Sequence, residues 1–254
     1  MAIVFFDIDG TILNHRTNKI TEKTILAIKK LKENGHIPVL ATGRNKKLLM
    51  GLEELLGIDA LVLSNGHYVL YNKECIYAKY IDKKIVKRFI DYASVHNYDV
   101  AISTALNHVA ISDTGQMTKF NESLHLGKIE VKPTYYLDHD VLQMNICAND
   151  KIDELRIEFP ELEFAISTQY GLDVTLKEGF KELGVKQLLD FLKIDLKETF
   201  AIGDGYNDIG MIKTVYTGIA MGNACDELKK EAVFTTLSID FDGVYYTLKY
   251  YGLI

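Results

Sequence analysis

The chain has little that would reinforce it from outside its own core. Its three cysteines, Cys75, Cys147 and Cys225, are widely spaced and odd in number. That is the pattern of unbridged thiols in a reducing compartment rather than a disulfide framework. Three prolines in 254 residues give few hard boundaries between elements. No run approaches the roughly 20 apolar residues that a membrane-crossing helix needs. The N-terminal MAIVFFDIDG lacks a basic segment and meets charge after a few apolar residues, so it reads as neither signal peptide nor anchor. The cytoplasm is therefore the expected location. Internal repeats and low-complexity segments are missing as well. So is any excess of positive charge: 29 Lys and Arg against 35 Asp and Glu give a formal net charge of −6. The lysines are dispersed, which makes duplex nucleic acid a poor partner. A small anionic substrate remains compatible where a cation or a nearby lysine offsets the carboxylates.

What is present is the composition of an ordinary globular protein, 48% hydrophobic and 25% charged. The length suffices for one large domain or a core with a smaller domain inserted. Periodicity predicts a strand at IVFFD and a helix over TEKTILAIKKLKENG, with Ile25, Ile28 and Leu31 on one face, Thr21 as N-cap and Gly35 as stop. A strand at IPVLATG, a helix around NKKLLMGLEELLG and a strand at ALVLSNG follow. That alternation is the rhythm of a parallel sheet covered by helices.

Near residue 80 the rhythm changes. After a helical KKIVKRFIDYASVHN come DVAISTA and HVAISD, read as a hairpin across Leu106 and Asn107. Then follow LQMNICA, a helix at KIDELRIEF, and LEFAISTQ joined to LDVTLKE through Tyr170 and Gly171. This predicts an inserted α+β domain over 82–177, splitting the core into 1–81 and 178–254. Helix and strand alternate again in KELGVKQLLDFLK, TFAIGD, NDIGMIKTV and TGIAMG, and DGVYYTLKYYG reads as an amphipathic terminal helix.

In a parallel sheet, ligands gather beyond the carboxyl ends of the strands. Asp7 and Asp9 stand where the first strand ends, two residues apart and so directed the same way. Two carboxylates this close repel and need a shared proton or a cation between them. Oxygen donors without a local histidine favour Mg²⁺ over zinc. A calcium loop fits DIDGTILNHRTN poorly, because the glycine falls fourth rather than sixth and a strand, not a helix, precedes it. AIGDGYND repeats the design with Asp204, Asn207 and Asp208. If its strand neighbours the first, Asp204 and Asp208 complete a ring of carboxylates around one cation. ATGR places Thr42 and Gly43 at the second strand tip, where a hydroxyl and backbone N–H groups suit an anionic oxygen. Lys181, opening a late helix, supplies a candidate positive charge. Asn65 and Gly66 of SNG end the third strand on the same side, and Arg44 either meets an anionic substrate or pairs with a core carboxylate. The histidines show no metal-like spacing.

DIDGT, ATGR, a lysine opening a late helix, and GDGYND, in this order and spacing, resemble the haloacid dehalogenase superfamily. Within it the chain is similar to the Cof-type phosphatases, whose large α/β cap, of the type called C2B, is inserted between the second and third motifs. The resemblance implies a parallel-sheet, Rossmann-like core with an inserted α+β cap. It implies Asp7 as the nucleophile that forms an aspartyl-phosphate and Asp9 as general acid and base. It further implies Mg²⁺ held by the Asp7 carboxylate, the Asp9 carbonyl and the Asp204 carboxylate, with Asp208 acting through water. The Ile8 N–H, Thr42, Gly43, Lys181 and Asn207 match positions that bind the phosphoryl group. GFKELGVK departs from the usual Ser-Lys-Gly around that lysine, so Lys186 is the alternative.

The function expected on these grounds is a Mg²⁺-dependent phosphatase of small phosphorylated metabolites, sugar phosphates first, with the cap closing over the core to exclude water. Two rivals share the residues. A phosphomannomutase-like phosphotransferase would return the phosphoryl group to a sugar, and a non-catalytic receiver module would keep Asp7 phosphorylated as a signal. Against the receiver stand the cap-sized insert and Asp9, a water activator that a lasting signal would not carry.

Overall fold

The computed structural model describes residues 1–177 and 180–254. The strands among them are, in chain order, β1 (Ile3–Phe6), β2 (Ile37–Ala41), β3 (Ala60–Leu63), β4 (Tyr68–Tyr71), β5 (Glu74–Ala78), β6 (Val100–Ser103), β7 (His108–Ala110), β8 (Gln143–Ile146), β9 (Leu162–Thr168), β10 (Gly171–Leu176), β11 (Thr199–Gly203), β12 (Thr217–Ala220) and β13 (Phe234–Thr235). They form two sheets in two compact units. The first unit holds Met1–Gly43, Gly51–Ala78 and the described residues from 180 onward; the second holds Arg44–Met50 and 79–177. The expected start of the second core segment, at 178, lies outside the described residues.

In the first unit eight strands run in the order β13-β12-β11-β1-β2-β3-β4-β5. From β13 to β3 every pairing is parallel. β1 is central, and all of Ile3, Val4, Phe5 and Phe6 are fully buried, as a strand covered on both faces requires. The chain winds from β1 through β2 to β3 on one side and from β11 through β12 to β13 on the other. The order therefore reverses between β1 and β11, the position where α/β sheets open a crevice. The helix Glu22–Glu33 starts where Thr21 accepts the Thr24 N–H at 3.2 Å and buries Thr24, Ala27, Ile28 and Leu31. Each large side chain buried in this way contributes about 1.5–3 kcal/mol.

Three sequence expectations change here. The single helix over NKKLLMGLEELLG is a 3-10 turn, Lys47–Leu49, and a separate short helix, Leu52–Leu56. Met50 and Gly51 between them both take left-handed backbone, φ 54° and 82°, which ends one helix before the next begins. The parallel rhythm also stops earlier than 80, because β4 and β5 are an antiparallel hairpin appended to β3. Finally, the terminal expectation of helix then strand omits the helix Asp226–Glu231 and the short edge strand β13.

The second unit is an antiparallel sheet in the order β7-β6-β8-β10-β9. One face buries Val100, Ile102, Met144, Ile146, Leu172 and Val174 against Phe89 of the helix Lys83–Val95 and Phe159, which caps the end of the helix Ile152–Glu158. Those two rings meet edge to face at 5.1 Å. The register sets Ala101, Asn145, Asp173 and Ala165 side by side on the other face, with Ser103 next to Gln143. One end of that face is covered by Met117 and Phe120 from Gln116–Ser123, a helix that the sequence reading did not anticipate.

Candidate active site

β1 and β11 are adjacent and in register, so their carboxyl ends deliver Asp7 and the Gly203–Asp204 pair to one place. The Asp7 N–H donates to the Ile202 carbonyl at 2.9 Å, continuing the ladder up to Asp7. Carboxylate oxygens of Asp7, Asp204 and Asp208 all lie within 4.8 Å of one another. Gly10, at φ +92°, has no room for a side chain: a Cβ there would lie 2.1 Å from Asp204 Oδ2. The glycine of DIDG thus does more than permit a turn, since it lets the loop from one strand close against the acid of another.

Lys181 is fully buried and donates to both Asp7 Oδ1 and Asp208 Oδ1, the latter at 2.6 Å. It arrives on the first turn of the helix Lys181–Leu192. That helix approaches so closely that a Cβ on Gly184 would fall 2.6 Å from Val62 Cγ1 and 2.9 Å from Gly66 Cα. Lys186 lies on the exposed side of the same helix, so it is Lys181 that reaches the acids. The second oxygen of Asp208 accepts the backbone N–H groups of Asp204, at 3.0 Å, and Gly205, at 2.9 Å. Asp208 is therefore fully engaged with protein groups as well as close to the other acids.

Electrostatics follow from burial. Loss of water raises the Asp7 carboxyl well above the ordinary range, the Asp208 charge raises it further, and Lys181 pulls it back only in part. Asp204 is pushed up to about 6, first by burial and then by Asp208, against a hydrogen bond from Thr11. For Lys181, burial acts downward but is outweighed by Asp208 and Asp7, which hold its pKa above the usual lysine value. One ammonium against three carboxylates leaves excess negative charge. Hard oxygen donors with that surplus fit a divalent cation of the Mg²⁺ type.

The other predicted residues, Arg44 apart, belong to the same unit as this cluster. Thr42, buried, donates its N–H to Val62 O at 2.9 Å, and its carbonyl accepts the Asn65 N–H at 3.0 Å, so the tips of β2 and β3 are tied together. Ser64 and Asn65 both adopt left-handed backbone, φ 50° and 52°. Two such non-glycine residues in succession are strained. The strain turns the Asn65 amide toward Gly43, where a Cβ would meet it at 3.2 Å, and toward Asn207, whose Nδ2 donates to Asn65 Oδ1 at 3.4 Å. Ile8 is fully buried and its carbonyl accepts the N–H groups of Thr11, Ile12 and Leu13. Asp9 is half-buried beside it. Gly66 is a packing glycine under the Lys181 helix, and Arg44 belongs to the second unit, where Nη1 donates to Leu48 O at 3.1 Å.

A family model for haloacid dehalogenase-like hydrolases matches residues 4–248. The chain belongs to that family. Among relatives of this haloacid dehalogenase-like hydrolase, YkrA of Bacillus subtilis (strain 168), which bears a provisional phosphatase name, is 32% identical over 99% of this chain and 98% of its own. A solved structure from Geobacillus kaustophilus HTA426 shares 33% identity at TM-score 0.95, covering 100% of this chain and 99% of that one. The structure of BT4131, described as a haloacid dehalogenase subclass IIB sugar phosphatase, shares 30% identity at TM-score 0.87 over 100% of both chains. The family and these full-length likenesses make the chain a phosphatase-type hydrolase with the family's core.

Two residues of this hydrolase's site escaped the sequence reading. Thr11 Oγ1 donates to Asp204 Oδ1 at 3.0 Å, and Asn223 Nδ2 donates to Gly10 O at 2.9 Å. Asn223 follows β12 by three residues, and a polar residue just past a parallel strand was the one available signal.

Proposed function

We propose that this hydrolase is a Mg²⁺-dependent phosphatase of small phosphorylated metabolites, with phosphorylated sugars as its substrate class. The observation that carries the proposal is the meeting of Asp7, Asp204, Asp208 and Lys181 at the reversal point of the parallel sheet.

In this reading Asp7 attacks phosphorus and becomes phosphorylated while the alcohol leaves. Asp9 donates the proton to the leaving oxygen and afterwards removes one from the water that releases phosphate. Two displacements of lower barrier replace one. Lys181 orients the Asp7 carboxylate and lends positive charge to the equatorial oxygens, where phosphoryl transfer accumulates negative charge. The Thr42 and Gly43 segment, the Ile8 N–H and the Asn207 amide bind the phosphoryl oxygens, and Asn65 lines the approach, while Gly66 serves to pack the Lys181 helix. The divalent cation, held by Asp7, the Asp9 carbonyl and Asp204, with Asp208 acting through water, would offset repulsion between the carboxylates and an anionic substrate. Asp208, its oxygens engaged by Lys181 and two N–H groups, contributes mainly through its charge.

The second unit is proposed to be the cap, with residues 82–177 as its body, and to choose the substrate. Its polar sheet face carries Ser103, Gln143, Asn145, Asp173 and Thr175. Hydroxyl, amide and carboxyl groups, with no lysine or arginine among these five, suit a polyhydroxylated leaving group better than a second anion. A phosphotransferase reading differs only in the fate of the phosphoryl group, which release of inorganic phosphate without an activating bisphosphate decides.

The test is direct. Purified protein is expected to hydrolyse p-nitrophenyl phosphate with Mg²⁺ and to rank sugar phosphates highest by kcat/KM, and EDTA is expected to abolish turnover. Asp7→Asn is expected to fold yet be inactive; a fully active variant overturns the mechanism.

A further inference from the structure

We propose that Asn223 is a positioning residue that holds the Asp204 carboxylate in the orientation needed to bind a divalent cation. The inference rests on the reading of Asp204 as a cation ligand and adds a residue outside the recognised motifs.

Asn223 is an exposed side chain at a strand tip, yet its amide is used at both ends. Oδ1 accepts the Ile239 N–H at 2.9 Å. Nδ2 donates to Gly10 O at 2.9 Å and lies 3.4 Å from Asp204 Oδ2. An amide nitrogen carries two hydrogens, so both contacts can be made together. The Ile239 N–H fixes which way the amide faces, since a flipped amide would set donor against donor there and acceptor against acceptor at Gly10.

The three acids differ in what holds them. Asp7 and Asp208 share Lys181, and Asp208 takes two backbone N–H groups besides. Asp204 is held by neutral side-chain donors, Thr11 Oγ1 on one oxygen and Asn223 on the other. Neutral donors restrict the carboxylate without cancelling its charge, which is what a ligand for a cation requires. The anchor behind Asn223 is itself braced. In the turn that begins at Ile239, Asp240 accepts from Asn14 Nδ2 at 2.8 Å and Arg16 Nη2 at 2.5 Å. The loop leaving Asp9 and the orientation of Asp204 thereby meet at one turn.

A purely structural role for Asn223 would affect folding and leave cation affinity alone, so the measurement is the Mg²⁺ dissociation constant. Calorimetric titration of the full chain is expected to show Mg²⁺ binding weakened about 10–100-fold in Asn223→Ala, the usual cost of losing a group that orients a ligand. Ile239→Pro removes the anchoring N–H at a distance. Ser238, at φ −69° and ψ 165°, already has the backbone that precedes proline, and Ile239 opens a 3-10 turn where proline is tolerated. This variant is expected to weaken Mg²⁺ about tenfold, the low end of the same range. Circular dichroism reports folding for both. A folded Asn223→Ala that binds Mg²⁺ within about twofold of the parent overturns the proposal, and if that variant does not fold, Ile239→Pro decides by the same criterion. A parent protein that binds no Mg²⁺ overturns the cation reading and this inference together, whereas tight binding unchanged in the variants overturns the inference alone.

Discussion

Lys181 gives up all contact with water to stand between Asp7 and Asp208. Burying an ammonium is costly unless its partners are close and hydrogen-bonded, and here both are. The expense is intelligible in the proposed mechanism, where the same charge that stabilises the pair would meet a phosphoryl oxygen. Lys181→Met is therefore expected to lower kcat by about 10²–10³, as loss of one aimed donor does. It is also expected to destabilise the protein at neutral pH by about 3–5 kcal/mol, because two buried carboxylates lose their partner. Steady-state kinetics and urea unfolding check the two effects separately, and wild-type kcat in Lys181→Met would remove the lysine from the mechanism. Lys181→Arg is not expected to rescue, since a planar guanidinium does not fit a point-charge site closed on all sides.

At the scale of elements, the placement of Lys181 depends on how closely its helix lies against the turn after β3. Gly184 sits in a helix interior, where alanine is better by about 1 kcal/mol on propensity alone. Its added Cβ would meet Val62 Cγ1 at 2.6 Å and Gly66 Cα at 2.9 Å, and such overpacking costs about 1–3 kcal/mol. Crowding by backbone wins over propensity. Gly184→Ala is expected to lose up to about 2 kcal/mol net and to reduce kcat with KM little changed, because Lys181 retreats from the acids; a gain in melting temperature would refute the close approach. None of this was legible in KELGVKQLLDFLK, where Gly184 looks like a mild blemish in a helix. What was legible followed from local signals: the IVFF strand, the Thr21 cap and the two Asp-rich strand ends. The β4–β5 hairpin was missed because its strands continue an apolar run whose direction sequence does not encode. Asn223 was missed because Gly10 lies 213 residues away in sequence and Asp204 and Ile239 lie 19 and 16 away, so no spacing rule joins them. The break at Met50 and Gly51 was hidden by apolar periodicity that runs straight through it.

For the whole molecule, two compact units imply two separately tunable contributions to stability. In the first, a cation that binds only the folded chain adds RT ln(1 + [Mg²⁺]/Kd), about 2.7 kcal/mol at a hundredfold excess over Kd. Melting is expected to rise with Mg²⁺ by about 2–4 °C per kcal/mol, and to stay flat in an Asp204→Asn variant. In the second unit, burial pushes the half-buried Asp173 up to about 6, against hydrogen bonds from Ser167 and Asn145 that pull it down. Asn145 Nδ2 donates to Asp173 Oδ1 at 2.7 Å and survives in an asparagine variant. A carboxyl whose folded pKa lies above its unfolded value binds more protons when folded, so its contribution is fully present below about pH 4 and is lost as pH rises through about 6. The full shift corresponds to about 3 kcal/mol, which partial solvent access reduces to about 1–3 kcal/mol. Asp173→Asn is therefore expected to raise stability at pH 7.5 by that amount and to match the parent at pH 4. Denaturant titrations at the two pH values test the sign, and an asparagine variant less stable than the parent at pH 7.5 would show that Asp173 is charged and favourably paired in the folded protein.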